Sequence, residues 1–366
     1  MFLKLLTRGL ITALLLTGIA HALDHDYFVY IVCESADRIV RARFGPTGVH
    51  IEKEISTSIT QSDISGPHGI ATDPKHETYY VTLGHGRPNG SAQKYSAKDN
   101  KLEGQVPLGL FPATADLTPD GTFLFAVNFN LHGDMVPSSV SVVETSQMLE
   151  VARIPTCTMP HGSRINPQGT KQYSACMMDD YLVEIDTNTL HVSRYFRVTK
   201  LSEQGFTGPI MVKASMHAAN LCSPTWAQPS SDGSKIYVAC NKSNEIVEVD
   251  ATEWKLLRRI PARDGVYNLA VTGDNRLVAT NKRDASVSVY DLKSGIELAR
   301  IPTSTTVVHG VAVSPDNKYA FVTSEGVGTK PGKLDVIDLS RLKVAASTDL
   351  PSQAAGIAFW KMEPAH

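Results

Sequence analysis

The strongest constraint on this chain is a unit that it repeats. The segments GPHGIATDPKHETYYVTLG, FPATADLTPDGTFLFAVNF, MPHGSRINPQGTKQYSACM, SPTWAQPSSDGSKIYVACN, GVYNLAVTGDNRLVATN and VVHGVAVSPDNKYAFVTSE align with one another. They recur about every 40 to 65 residues, the spacing of sheet units stacked around or along an axis. Each unit begins with a short apolar strand, turns at an Asp/Pro/Gly cluster and continues as a β-rich run. After a polar gap comes an alternating strand that ends near Asp, as in EIVEVD, SVSVYD and KLDVID. Alternation with a period of two and tight-turn residues between strands specify four-stranded antiparallel units.

The two ends supply a seventh unit in halves. YFVYIVCES, RIVRARFG and GVHIEKEI read as the second, third and fourth strands of a unit that lacks its first, and AAGIAFWK reads as the missing strand. Joining them removes the open edges of the sheets. The predicted fold is therefore all-β: a seven-bladed β-propeller of four-stranded antiparallel blades, closed by strand 355–360 beside strand 27–34. The predicted blades are 23–65 with 353–363, then 66–110, 111–156, 157–205, 206–262, 263–304 and 305–350.

Residues 1–22, MFLKLLTRGLITALLLTGIAHA, combine Lys4 and Arg8, an apolar run and the triplet Ala20-His21-Ala22. This pattern predicts a secretory signal cleaved after Ala22, a single domain over 23–366 and a periplasmic or secreted protein without an integral membrane segment. Cleavage takes the formal net charge from −2 to −4, and the basic residues are scattered, which argues against a nucleic-acid partner. In an oxidising compartment, 5 cysteines leave at least one without an intrachain partner.

The second strands of several units carry Tyr80-Val81-Thr82, Tyr237-Val238-Ala239-Cys240-Asn241 and Ala279-Thr280-Asn281. These resemble the Tyr-Val-Thr-Asn signature of YVTN-repeat propellers, and the resemblance extends over nearly the whole chain after residue 22. The family includes relatives of lactone hydrolases as well as surface and metal-associated proteins, so kinship of fold does not decide chemistry. What the resemblance implies is geometry. The first strand of every blade lines the axial channel, and the loops leading into it share one rim with the loops after the second strand.

Alignment of the units then places His68, Ala113, His161, Thr225, Tyr267, His309 and Ala355 in one slot at the channel mouth. The three histidines are separated by two, three and two blades, as near to threefold spacing as seven positions allow. Imidazoles so spaced are expected to meet at one transition metal. Copper is the first expectation, because Met and Cys lie nearby, and zinc or iron also suits three histidines. His85, His132, Met159, Cys176 and His217 are expected to add outer or softer contacts. Met177, Met178, Asp179, Asp180 and Met216 fall on the same rim. Pro-His-Gly is also common at this slot in the family, where the ring can simply cap the channel.

Cys33, Cys176 and Cys240 are read as sharing the Thr position of the signature, where a small side chain packs between sheets. Cys157 and Cys222 lie on the connections flanking the fourth blade and are expected to form a disulfide, with a pair of thiolate ligands as the alternative. Cleavage after Ala22 would also expose Leu23-Asp24-His25, an amine, amide and imidazole set able to hold Cu(II) or Ni(II). Three functions follow. The first is an exported copper-binding propeller with a redox role. The second is a scaffold that docks an envelope protein or redox partner on its loops. The third, a lactone-hydrolase-like enzyme, rests on kinship alone, since no G-x-S-x-G elbow or Ser-His-Asp arrangement is evident.

Overall fold

In the computed structural model, residues 23–59, 63–85, 90–208 and 221–365 are described. They form seven antiparallel sheets arranged as blades of a ring, six with four strands and one with five. The innermost strands are Pro67–Asp73, Pro112–Leu117, Pro160–Ile165, Pro224–Pro229, Val266–Val271, Val308–Val313 and Ala354–Pro364. Consecutive members of this set touch all the way round, which encloses an axial channel.

The ring closes as the end fragments predict. Ala354–Pro364 pairs antiparallel with His25–Cys33, in a register that sets Tyr27 opposite Met362 and Cys33 opposite Ala354. Closure is cemented on both faces of this first blade. Tyr27 and Phe44 pack edge-on against Tyr319 of the seventh blade, with ring centroids 5.1 and 4.9 Å away. On the other face Tyr30 stacks on Tyr79 of the second blade at 4.3 Å and meets Trp360 edge-on. Aromatic pairs like these add roughly 0.5–1.5 kcal/mol each beyond their area burial.

One blade boundary differs from expectation. Gln204–Phe206 forms a fifth strand on the fourth blade by pairing with Tyr195–Arg197, so Phe206 belongs to that blade and not to the next. Phe206 stacks on Tyr195 and shields part of an edge that would otherwise be open.

The cysteines pair differently from the expected Cys157–Cys222 bond. Cys157 is joined to Cys176 and Cys222 to Cys240, while Cys33 is free and buried. The registers supply the reason. Cys176 lies opposite Pro160 and Cys240 opposite Pro224, as Asn281 lies opposite Val266, so these cysteines hold the Asn position of the signature and not the Thr position. A displacement of one residue turns a strand side chain to the other face of its sheet. Each cysteine therefore faces the connection entering its own blade, with Cα separations of 6.0 and 4.6 Å. The bonds close loops spanning 19 and 18 positions. Replacing Cys157 and Cys176 together by Ser should cost about 2–4 kcal/mol in urea unfolding. A midpoint equal to that of the unaltered protein would mean the bond contributes nothing.

Candidate functional site

The aligned slot exists as read. His68, Ala113, His161, Thr225, Tyr267, His309 and Ala355 are each the second residue of an innermost strand. Every one of these strands shifts register at or just after the slot, as between Pro67 and Ile70 or between Val308 and Val311. A bulge of this kind re-aims a side chain out of the ladder.

Two further devices position the slot. The signature threonine of one blade reaches the next: Thr82 donates to the carbonyl of Ala113, Thr280 to that of His309 and Thr323 to that of Ala355. The same hydroxyls accept the N–H of Gly69, Asn268 and Gly310 from their own blades. The glycine after the slot is required by close approach. A Cβ on Gly69, Gly162 or Gly310 would lie 2.2, 2.3 or 2.6 Å from the slot carbonyl of the adjacent strand, Ala113, Thr225 or Ala355. In Pro-His-Gly, the glycine thus serves ring packing and leaves the histidine available for chemistry.

The three histidines do converge. The His68 ring centroid is 5.5 Å from that of His309 and 6.2 Å from that of His161. His161 and His309 are 2% and 4% exposed. Nδ1 of His161 faces the Thr225 carbonyl at 2.9 Å, and its Nε2 meets the Tyr267 hydroxyl at 3.1 Å. Tyr267 also lies against His309, with centroids 4.8 Å apart. Nδ1 of His309 has no hydrogen-bond partner, and its Nε2 lies 3.8 Å from a Glu325 carboxylate oxygen.

His68 is held by Glu34, a residue the sequence reading missed. Glu34 sits on the short 3-10 turn Glu34–Ala36 after the first strand of the ring-closing blade, and its N–H donates to the Gln353 carbonyl. One carboxylate oxygen is 2.7 Å from His68 Nδ1 and the other 3.2 Å from His85 Nε2. His85 in turn stacks on His132 at 5.4 Å, and Phe111 wedges among His68, His85 and His132. Burial alone would raise the Glu34 carboxyl, but the charge and hydrogen bond of His68, with a further hydrogen bond from His85, bring it down to about 2. The hydrogen bond to Glu34 raises His85, against an opposing effect of burial.

Burial dominates the other two histidines. It lowers His161 to about 3, with the charges of His68 and Lys282 acting the same way and the Thr225 carbonyl opposing. His309 is lowered well below its ordinary value by burial first, then by Lys282, His68 and His161. Lys282 lies 4.5 Å over the Tyr267 ring and 2.8 Å from Glu325. Burial would lower its ammonium, and Tyr267, Glu325 and Glu34 more than offset this. Both buried imidazoles are thus neutral at ordinary pH, the form that ligates metals.

This neutrality has a measurable sign. An imidazole near 6.5 in the unfolded chain and near 3 in the fold binds more protons when unfolded, so stability falls as pH drops below 6.5. His161 alone should cost about 2–3 kcal/mol between pH 6.5 and 4.5. In chelator-treated protein, H161Q should flatten that acid limb in chemical unfolding. An acid limb identical to that of the unaltered chain would contradict the buried neutral histidine.

The softer ligands expected beside the histidines are committed elsewhere. Cys157 and Cys176 are bonded to each other. Met159 is buried with Phe111, Ala113 and Phe129, and Met177 packs on the same cluster. Asp179 accepts the Thr158 N–H, and Asp180 accepts those of Leu221, Cys222 and Ser223, so both brace connections. His25 enters the closing ladder opposite Pro364. His217 and Met216 lie outside the described residues. With Cys157 and Cys176 bonded to each other, the three slot histidines by themselves do not prefer copper to zinc or iron. Among the described residues, no three His, Cys, Asp or Glu side chains already meet in metal-binding geometry. Three imidazoles on one ion at 2.0–2.1 Å have centroids roughly 5 Å apart, so the His68 ring would have to move closer to both others, and His161 and His309 would have to meet past Tyr267, which lies 5.5 and 4.8 Å from them.

Fold and site together define a seven-bladed propeller with a histidine-lined axial mouth. It is similar to a periplasmic gluconolactonase of Pseudomonas aeruginosa, at a TM-score of 0.69 and 15% identity over 92% of this chain and 99% of that one. It is likewise similar to the hydrazine synthase of Kuenenia stuttgartiensis, at a TM-score of 0.65 and 18% identity over 82% and 92% of the two chains. A functionally unknown protein from Desulfotomaculum acetoxidans matches at a TM-score of 0.68 and 16% identity over 91% and 99%. At these identities the likeness is one of fold. No protein-family model and no curated protein matches the chain.

Proposed function

We propose that the protein is an exported propeller that holds one transition-metal ion at its axial mouth through the Nε2 atoms of His68, His161 and His309. The observation that carries this reading is the fixing of the opposite nitrogens. His68 Nδ1 is bonded to a buried carboxylate and His161 Nδ1 to a backbone carbonyl, the two partners that orient metal-ligating imidazoles. His309 Nδ1 carries no such bond, so His309 is the least firmly oriented of the three. The metal is copper, zinc or iron, the three that suit such a set. Two buried disulfides support an oxidising compartment. Tyr267, whose hydroxyl is on His161 Nε2, would have to yield that nitrogen or become a further ligand. His85 and His132, stacked above Glu34, line the approach.

Calorimetric titration of chelator-treated protein with Zn(II), Co(II) and Cu(II) tests this reading. Binding of one ion per chain is expected, and Glu34→Gln should weaken it by about 10–100-fold, as loss of a supporting carboxylate does elsewhere. Affinity unchanged in the Gln variant would argue against the Glu34–His68 arrangement.

A further inference from the structure

Farther along the inner strands than the histidines lies a cavity of about 250 Å³. Thr72, Asp116, Arg164, Gln228, Val313 and Phe359 are among the residues that line it, and all six retain accessible surface there. Arg164 is the one cation of this lining. Its guanidinium lies 4.6 Å over the Trp226 ring, and one nitrogen donates to its own blade's Ser163 carbonyl at 2.9 Å. A guanidinium has five N–H donors, and the Ser163 carbonyl engages one nitrogen of this lining residue. Among the described residues the charge that acts on it is Asp116, whose carboxylate already accepts the N–H groups of Leu117 and Ile165 at 3.2 and 2.7 Å. A ligand that supplies two acceptor oxygens in one plane fits the N–H groups that the Ser163 carbonyl does not use.

We infer that this cavity binds a small monocarboxylate through the guanidinium of Arg164. The fork of the guanidinium matches a planar carboxylate in bidentate fashion. The nearby Asp116 charge opposes a second negative charge, which disfavours phosphate dianions and dicarboxylates. Gln228 and Thr72 supply the polar remainder of the wall, and the apolar ends of the inner strands limit the ligand to a few heavy atoms. No histidine of the mouth lines this cavity, although Arg164 also borders a smaller cavity with His68 and His309.

Calorimetric titration of the full chain with acetate, acetamide and inorganic phosphate at constant ionic strength separates the terms. Acetate should bind once per chain, at least tenfold more tightly than acetamide or phosphate. R164Q should abolish that binding, and R164K, which keeps the charge but loses the planar fork, should weaken it at least tenfold and serves if the Gln variant does not fold. H191A, on an outer strand, should bind acetate as the unaltered protein does, which separates this site from histidines at large. Acetate affinity unchanged in R164K, or acetate binding no better than acetamide, would overturn the inference.

Discussion

Removing residues 353–366 should abolish cooperative folding. The deletion takes the innermost strand from the first blade and leaves His25–Cys33 with an open edge, the condition a closed ring avoids. It also strips out Ile357 and Trp360, which are 6% exposed and contribute to the clusters on the two sides of the closing blade. Truncating an Ile and a Trp in a core costs roughly 5–10 kcal/mol together, comparable with the whole stability of many domains. Circular dichroism should show a loss of the sigmoidal thermal transition, whereas an unchanged melting temperature would mean that the strand is an appendage.

Replacing His68, His161 and His309 together should eliminate transition-metal binding, with single replacements each costing more than loss of the Glu34 carboxylate. Exposed histidines supply the control. His50 bonds the Thr47 carbonyl and His191 that of Thr189, both on outer strands, and their replacement should leave affinity unchanged. H161Q is preferable to H161A because a buried imidazole deleted outright leaves a cavity that destabilises by itself. Equal losses at His50 and at His309 would indicate nonspecific surface binding.

The parts of this molecule legible in the sequence are those the repeat carries. Strand order, the closing strand and the slot of His68, His161 and His309 all follow from aligning one blade on the next, because every blade repeats the same backbone. What the repeat does not carry was misjudged. A one-residue offset put Cys176 and Cys240 on the wrong face, and the disulfide partners followed from that error. Glu34 was missed because its contact with His68 crosses the seam where the ring closes, so no neighbouring repeat displays it. Met159 and Cys176 stood in a stretch rich in soft ligands, yet one fills a phenylalanine cluster and the other a disulfide. Their side chains satisfy packing demands that composition alone does not reveal. Tyr267 was aligned in the slot, and only the structure joins its hydroxyl to His161 and its ring to Lys282.

The most direct test of the central claim is the metal content of the protein purified from its native compartment, measured beside the His68/His161/His309 triple variant. The account predicts close to one copper, zinc or iron ion per unaltered chain and none in the variant. Equal metal content in the two proteins would contradict it.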